Sequence, residues 1–465
     1  MIVPPCLAAK SIAAVLPPQL LHTVAGPVLD RAPAAAQAGH WGTAMAQAGS
    51  QARAVTALVW LIGLAVFINC VDRGTLGIAA PRLKADLGLT ATEYGMAASA
   101  FFWVYAPGQL VAGWLVGRSN AGWVLAAGLG LWGVATALTG LANGLLALVL
   151  LRLLLAVGEA VTFPALFKLI VDHVDAAPHG VANAATSVGL ALGPAFGTLA
   201  GGLLLAALDW RWLFAIVGGV TLLWLLPWVA TIRRLPTPAD HGAAGGEGPT
   251  YLQILFTRAA LSLSLAQVCW GFGLYFLVTW LPLWLVEVRH YSLADMAWIG
   301  ALAFAAQAVA AMIGGQVNDL LLRRGLAPGP VRRGGAMLGT VMTAAGLAGI
   351  PLSDSQGALI AALLLAGFGI GIMHVCVNMM AQMFAGPSAV GKWTGVQNGF
   401  GNIAGIVNPL ITGAIIDATG SYNAAFALAA GMPLVALFSL AVLVPRVVPI
   451  AWAQREGPST VITSA

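Results

Sequence analysis

The sequence predicts an all-α fold of twelve membrane-spanning helices in two pseudo-symmetric six-helix bundles, and three observations predict it. The 465-residue chain is 60% hydrophobic and only 8% charged, where a soluble domain carries about 25% charge. Apolar stretches long enough to cross a bilayer, about 20 residues, recur at 55–80, 92–117, 121–142, 144–170, 180–206, 211–231, 259–286, 295–318, 333–351, 356–384, 391–417 and 421–445. The longest polar interruption, 232–258 (IRRLPTPADHGAAGGEGPTYLQILFTR), falls after the sixth stretch and has the Gly, Pro and charge content of a cytoplasmic linker.

The elements follow in order. Residues 1–54 are rich in Ala, Pro and Gln, and their one apolar run is interrupted by Pro17 and Pro18. They read as a disordered cytoplasmic tail, or as an upstream extension of a chain that starts at Met45. An N-terminal bundle over 55–231, the linker 232–258, a C-terminal bundle over 259–445 and a cytoplasmic tail over 446–465 complete the chain. The halves carry an internal echo: Gly189, Gly193, Gly201 and Phe214 recur 212 positions later as Gly401, Gly405, Gly413 and Phe426. Two bundles in parallel repeat with a site between them is a transporter architecture.

Charge sets the expected orientation. With the N-terminus inside, the inner loops and flanks hold Arg53, Arg118, Lys168, Arg233, Arg234, Arg258, Arg323, Arg324, Arg332, Arg333, Lys392, Arg446 and Arg455, whereas the outer loops hold only Arg82, Lys84, Arg211 and Arg289. Both termini are therefore expected in the cytoplasm of a plasma membrane of the bacterial inner-membrane type. The net charge of +5 reflects this topology and gives no support to nucleic-acid binding. Cys6, Cys70, Cys269 and Cys376 show no metal-ligand spacing and no disulfide framework. Nothing resembles a nucleotide loop, a metal cluster or a catalytic triad. No enzymatic activity, metal or cofactor is expected, and a proton or other cation gradient is left as the energy source.

Four charges stand inside the apolar stretches: Asp72 and Arg73 in the first, Arg152 and Glu159 in the fourth. A charge at mid-membrane costs at least about 2.5–3.5 kcal/mol, so such residues usually face an interior cavity. Counting about 1.5 Å per residue from each entry point places Asp72 and Arg152 at comparable depth, with Glu159 on the same helical face as Arg152 and roughly 10 Å deeper. Asp72 is thus expected beside a cation and ionised, and Glu159 more isolated and able to carry a proton. A structural ion-pair network locking the two helices is the alternative.

The run NCVDR, then SAFFWVYAPGQLVAGWL, RLLLAVGEAVTFP, DWRWLF, YFLVTWLPLWLV and VQNGFGNIAGIVNP with ATGSY resembles the anion:cation symporter family of the major facilitator superfamily, and within it the transporters of galactonate, glucarate and hexuronates. The resemblance spans about 55–445. It implies proton coupling at Asp72 and Glu159, anion binding at Arg73 and Arg152, and substrate contacts from Tyr105, Gln267 and Asn398. Gln109, Thr186, His374 and Asn378 are further cavity candidates, although His374 and Asn378 read equally as a satisfied core pair. The family also implies basic loops with a Gly, Asp, Arg pattern. The second copy stands as Gly315, Asp319, Arg323 and Arg324; the first keeps Gly113 and Arg118 but has Gly117 at the acidic position, and His179 stands where relatives usually carry Arg.

The expected activity is proton-coupled uptake of a small organic anion such as a sugar acid, by a monomer in the lipid bilayer. Two alternatives remain open. The run Gly180, Gly189, Gly193-Pro194 and Gly197 resembles the signature of drug/proton antiporters, with Thr198 in place of its last Gly. A non-transporting receptor is the other, although no large soluble domain is available to signal.

Overall fold

A computed structural model describes residues 34–173, 179–235 and 249–452, with the side chains of 34–53, 110, 171, 179–188, 191, 387 and 388 outside the described set. Among the described residues there is no strand, and twelve helices form the two bundles. The N-terminal bundle contains α1 (Ala34–Asp86), α2 (Ala91–Arg118), α3 (Ala121–Thr139), α4 (Leu145–Ile170), α5 (His179–Ala207) and α6 (Trp210–Ile232). The C-terminal bundle contains α7 (Arg258–Glu287), α8 (Leu293–Arg323), α9 (Pro328–Gly349), α10 (Gln356–Gly386), α11 (Ala389–Thr419) and α12 (Asn423–Leu443).

Local chemistry explains the boundaries. Thr90 and Glu93 form a reciprocal capping box at the start of α2, and Asn120 and Ser292 cap α3 and α8, each satisfying orphan N–H groups. The α4 helix breaks at Val161, shortly before Pro164, and α7 breaks at Trp280, ahead of Pro282, because proline has no N–H to donate to the carbonyl four residues back and its ring clashes there. One expectation is corrected. Part of the expected disordered tail is helical, since α1 starts at Ala34; after Pro33 the segment is Ala- and Gln-rich and, although it contains Gly39, Gly42 and Gly49, has no proline before Pro81. The α10–α11 connection is a kink at Gly386, with φ of 66°. Of the expected linker, 236–248 lie outside the described residues, and Tyr251–Leu255 form a short capped helix.

The bundles repeat one packing plan. In the first, α1 packs on α5, α2 on α4 and α3 on α6; in the second, α7 packs on α11, α8 on α10 and α9 on α12. Across the interface α2 meets α11 and α5 meets α8, a swap that pseudo-two-fold symmetry requires.

The halves are sealed on one face, the one bearing the 87–90, 288–292 and 420–422 turns. Lys84 pairs with Glu287 at 3.0 Å, the Asp417 carboxylate accepts from the backbone N–H groups of Ala91 and Thr92 at 3.0 and 2.7 Å, and the Tyr94 hydroxyl donates to the Thr279 carbonyl at 3.2 Å. These contacts join the two bundles at this face. At the opposite face Arg118, Asp319, Arg323 and Arg324 are exposed, and no ion pair links them among the described residues. Contact at the sealed face depends on small residues: a methyl at Gly95 would collide with the Pro409 carbonyl of α11. Gly95→Val is therefore expected to hold this face open, with loss of most transport flux and gain of reactivity at a cysteine placed beside Ala91. Unchanged flux and labelling would show that the contact is dispensable.

Candidate transport site

The buried charges converge where α1, α2, α3 and α4 meet. The Glu159 carboxylate, fully buried, accepts hydrogen bonds at Oε2 from Arg73 Nε at 3.1 Å and from Asn69 Nδ2 at 2.7 Å. Arg73 also donates to the Tyr105 hydroxyl and lies 4.5 Å from the centre of the Tyr105 ring and 5.6 Å from that of Phe101. Its side chain keeps 26% exposure. The head group is thus fixed by one carboxylate, one phenol and two aromatic faces, with one side open. Stacked guanidinium groups of this kind gain cation–π attraction without losing their hydrogen-bond fork.

Asp72 faces elsewhere. Its Oδ2 accepts from the Trp132 indole N–H and from the Thr136 hydroxyl, the latter at 2.9 Å, both on α3. The expected isolation of Glu159 is corrected, since Glu159 holds the ion pair with Arg73; Asp72 is hydrogen-bonded by neutral donors, with Arg152 as its nearby cation. The reason is angular, because successive helical residues point about 100° apart, so Arg73 turns away from its neighbour Asp72 and toward α4. Arg152, 6% exposed, lies 5.5 Å from the Phe101 ring, and its Nε has no hydrogen-bond partner. Phe101 is thereby flanked by both arginines. Trp132→Phe removes a donor from a buried carboxylate and is expected to cost about 1–3 kcal/mol of stability, measurable as a lower midpoint of thermal unfolding.

The other candidates divide. Gln109 interacts with Tyr105 one turn along α2. In the second bundle Gln267 is buried, and its Oε1 lies 3.4 Å from Gln397 Nε2 on α11. Asn398, the next residue, is exposed and makes no described hydrogen bond. His374 stacks on Trp270, with ring centres 4.3 Å apart, and its Nε2 lies 3.0 Å from Asn378 Nδ2. The Thr186 side chain lies outside the described residues. Sequence reasoning missed Asn69, Trp132, Thr136 and Gln397. Asn69 had a signal, since it stands four residues before Arg73 within an apolar helix and so shares its face. Trp132 had none: a Trp in an apolar span reads as packing. Among the described residues no cluster of His, Cys, Asp or Glu is arranged to hold a metal.

This constellation lies within the N-terminal six-helix bundle, and the chain matches the family model described as Major Facilitator Superfamily over residues 62–328 and 294–463. The chain belongs to the major facilitator superfamily. It is a multi-pass membrane transporter of that superfamily rather than an enzyme. It is 31% identical over 385 residues to the probable sulfoacetate transporter SauU of Cupriavidus necator, covering 78% of this chain and 87% of that one. It is 26% identical over 428 residues to the probable galactarate/D-glucarate transporter GudP of Bacillus subtilis, covering 86% and 94%. With the hexuronate transporter of the same organism it shares 27% over 421 residues, covering 86% and 97%. Among solved structures, a bacterial homolog of the human lysosomal transporter Spinster, inward-facing and unoccupied, superimposes with a TM-score of 0.67 at 18% identity, covering 86% of this facilitator and 95% of that chain.

Proposed function

We propose that this protein carries a small organic anion bearing a carboxylate, such as a sugar acid or a sulfonated carboxylate, into the cell together with a proton, by alternating access between the two bundles. The observation that carries the reading is the Arg73 head group, shared by the Glu159 carboxylate and the Tyr105 hydroxyl with one side open. An arginine cannot serve an internal and a substrate carboxylate equally well. When Glu159 takes up a proton, its ion pair with Arg73 is lost, and the guanidinium becomes available to the substrate carboxylate. Proton and anion therefore load as a pair, and release of the proton restores the internal pair and expels the anion. Gln267 and Gln397 supply amides from the opposite bundle, and Asn398 is the expected reader of substrate hydroxyls. A substrate touching both bundles would couple binding to their rocking motion. No cofactor takes part, and a monomer suffices because each chain holds a whole site.

If the basic flanks face the cytoplasm, the sealed face is the outer one, which fits the inward-facing arm of the cycle. Relatives named for sulfoacetate, galactarate/D-glucarate and hexuronate support the substrate class. The antiporter-like glycines have a packing role here: Gly189, Gly193 and Gly197 lie against Gly63, Phe67, Cys70 and Val71 of α1. Their presence therefore does not favour drug export.

Purified protein in liposomes provides the test. An inward proton gradient should drive accumulation of a sugar acid or sulfoacetate, with uptake rising as external pH falls and unaffected by replacement of sodium. Proton-driven efflux of a lipophilic cation would establish the exporter instead, and binding without flux the receptor.

A further inference from the structure

Away from the transport site, α2, α3 and α4 line a shallow, open groove of about 410 Å³ on the flank of the N-terminal bundle. Its walls include Leu115, Trp123, Val124, Leu131 and Val157, and its polar end is formed by Ser119 and Asn120 at the α2–α3 turn. The Asn120 side-chain oxygen already accepts from the Trp123 backbone N–H at 3.2 Å. Two arginines neighbour this end. Arg118 directly precedes Ser119, and its guanidinium lies 4.7 Å from the Trp114 ring centre. From α6, whose Trp228 indole donates to the Gly122 carbonyl at 3.0 Å, Arg233 extends to 5.9 Å from the ring centre of Trp123. Both arginines are exposed, and among the described residues neither is ion-paired. Gly117 leaves no carboxylate at the position next to Arg118 where one was expected.

We propose that this groove binds one acyl chain of an anionic phospholipid, with the lipid phosphate held by Arg118 and Arg233. The α2–α3 turn lies at the helix ends opposite the sealed face, at the level where headgroups meet acyl chains, and Trp114 and Trp123 are the aromatic residues suited to that level. An apolar channel alone accepts any lipid tail. Two unneutralised arginines at its mouth add a preference for a negative headgroup, each Arg being worth a roughly fivefold gain near such a surface. A free phosphate would gain nothing from the channel. Gly117 then has a physical consequence: with no acid beside Arg118, that guanidinium is free for the lipid.

The full chain in phosphatidylcholine vesicles, carrying a trace of photoactivatable phosphatidylglycerol or of phosphatidylcholine with the same acyl chain, tests this. Peptide mapping should place phosphatidylglycerol labelling on residues 115–131 and show it well above phosphatidylcholine labelling. Arg118→Ala and Arg233→Ala should each lower the phosphatidylglycerol labelling roughly fivefold, whereas Lys at both positions should retain most of it. Ala127→Phe, which fills the groove, should lower labelling by both lipids while the thermal transition persists. Equal labelling by the two lipids in the unaltered protein would overturn the proposal, as would undiminished labelling in the double Ala variant. Loss of label to soluble glycerol 3-phosphate would also overturn it, showing the arginines to be a free-anion site.

Discussion

Glu159→Gln is expected to abolish gradient-driven accumulation while leaving exchange of substrate across the membrane intact. The amide has nearly the shape of a protonated carboxyl and can still bond Asn69, which lies 2.7 Å from Oε2 in the native protein. It cannot hold Arg73 by charge. The variant therefore mimics the loaded, protonated state: Arg73 is permanently available to the anion, and no proton leaves to force the anion off. In liposomes, counterflow of labelled substrate should persist, and the inside concentration should settle at equilibration whatever the pH gradient. The cost in stability should stay below the about 3–5 kcal/mol of breaking a fully buried ion pair, because Arg73 keeps 26% exposure and can find water or a buffer anion. Normal concentrative uptake by this variant would remove Glu159 from the coupling step.

The sequence made the membrane class, the two-bundle plan and the location of the charges legible, because apolar run length and stranded ionisable groups are one-dimensional signals. It did not reveal which charge meets which. Depth can be counted along a helix, but azimuth depends on how each helix is rotated in its bundle, and the 100° step between Asp72 and Arg73 sends one to α3 and the other to α4. The partners of Asp72 were hidden for the same reason. Trp132 and Thr136 lie one turn apart on α3, and only that helix's rotation tells a packing indole from a carboxylate donor. Gln397 and Asn398 are a third case: adjacent in sequence, one is buried against Gln267 and the other exposed. The α1 start at Ala34 was masked by composition, since an Ala-rich polar segment reads as a tail until a long helix extends into it.

Arg73→Ala is expected to produce the largest loss of anion affinity. The side chain has the Tyr105 hydroxyl, two aromatic faces and an exposed edge, so it meets an incoming carboxylate with its fork already oriented. Truncating one partner of a hydrogen-bonded charge pair costs about 2–5 kcal/mol, at least roughly thirtyfold in dissociation constant. Arg73→Lys should recover only part of this, because an ammonium keeps the charge but neither the fork nor the stacking. Arg152→Ala acts from the other contact of Phe101, where Nε is buried without a partner, and should also weaken binding. Its effect on folding should be larger than that of Arg73→Ala, since Arg152 is almost fully buried and near Asp72. Calorimetric titration of each variant with a sugar acid, set beside its thermal unfolding midpoint, separates recognition from stability. If Arg73→Ala and Arg152→Ala both bind the anion with unchanged affinity, the arginines serve only to hold α1, α2 and α4 together. Transport would then have to find its anion elsewhere, and the exporter reading, which has no need of a substrate-facing guanidinium, would gain ground.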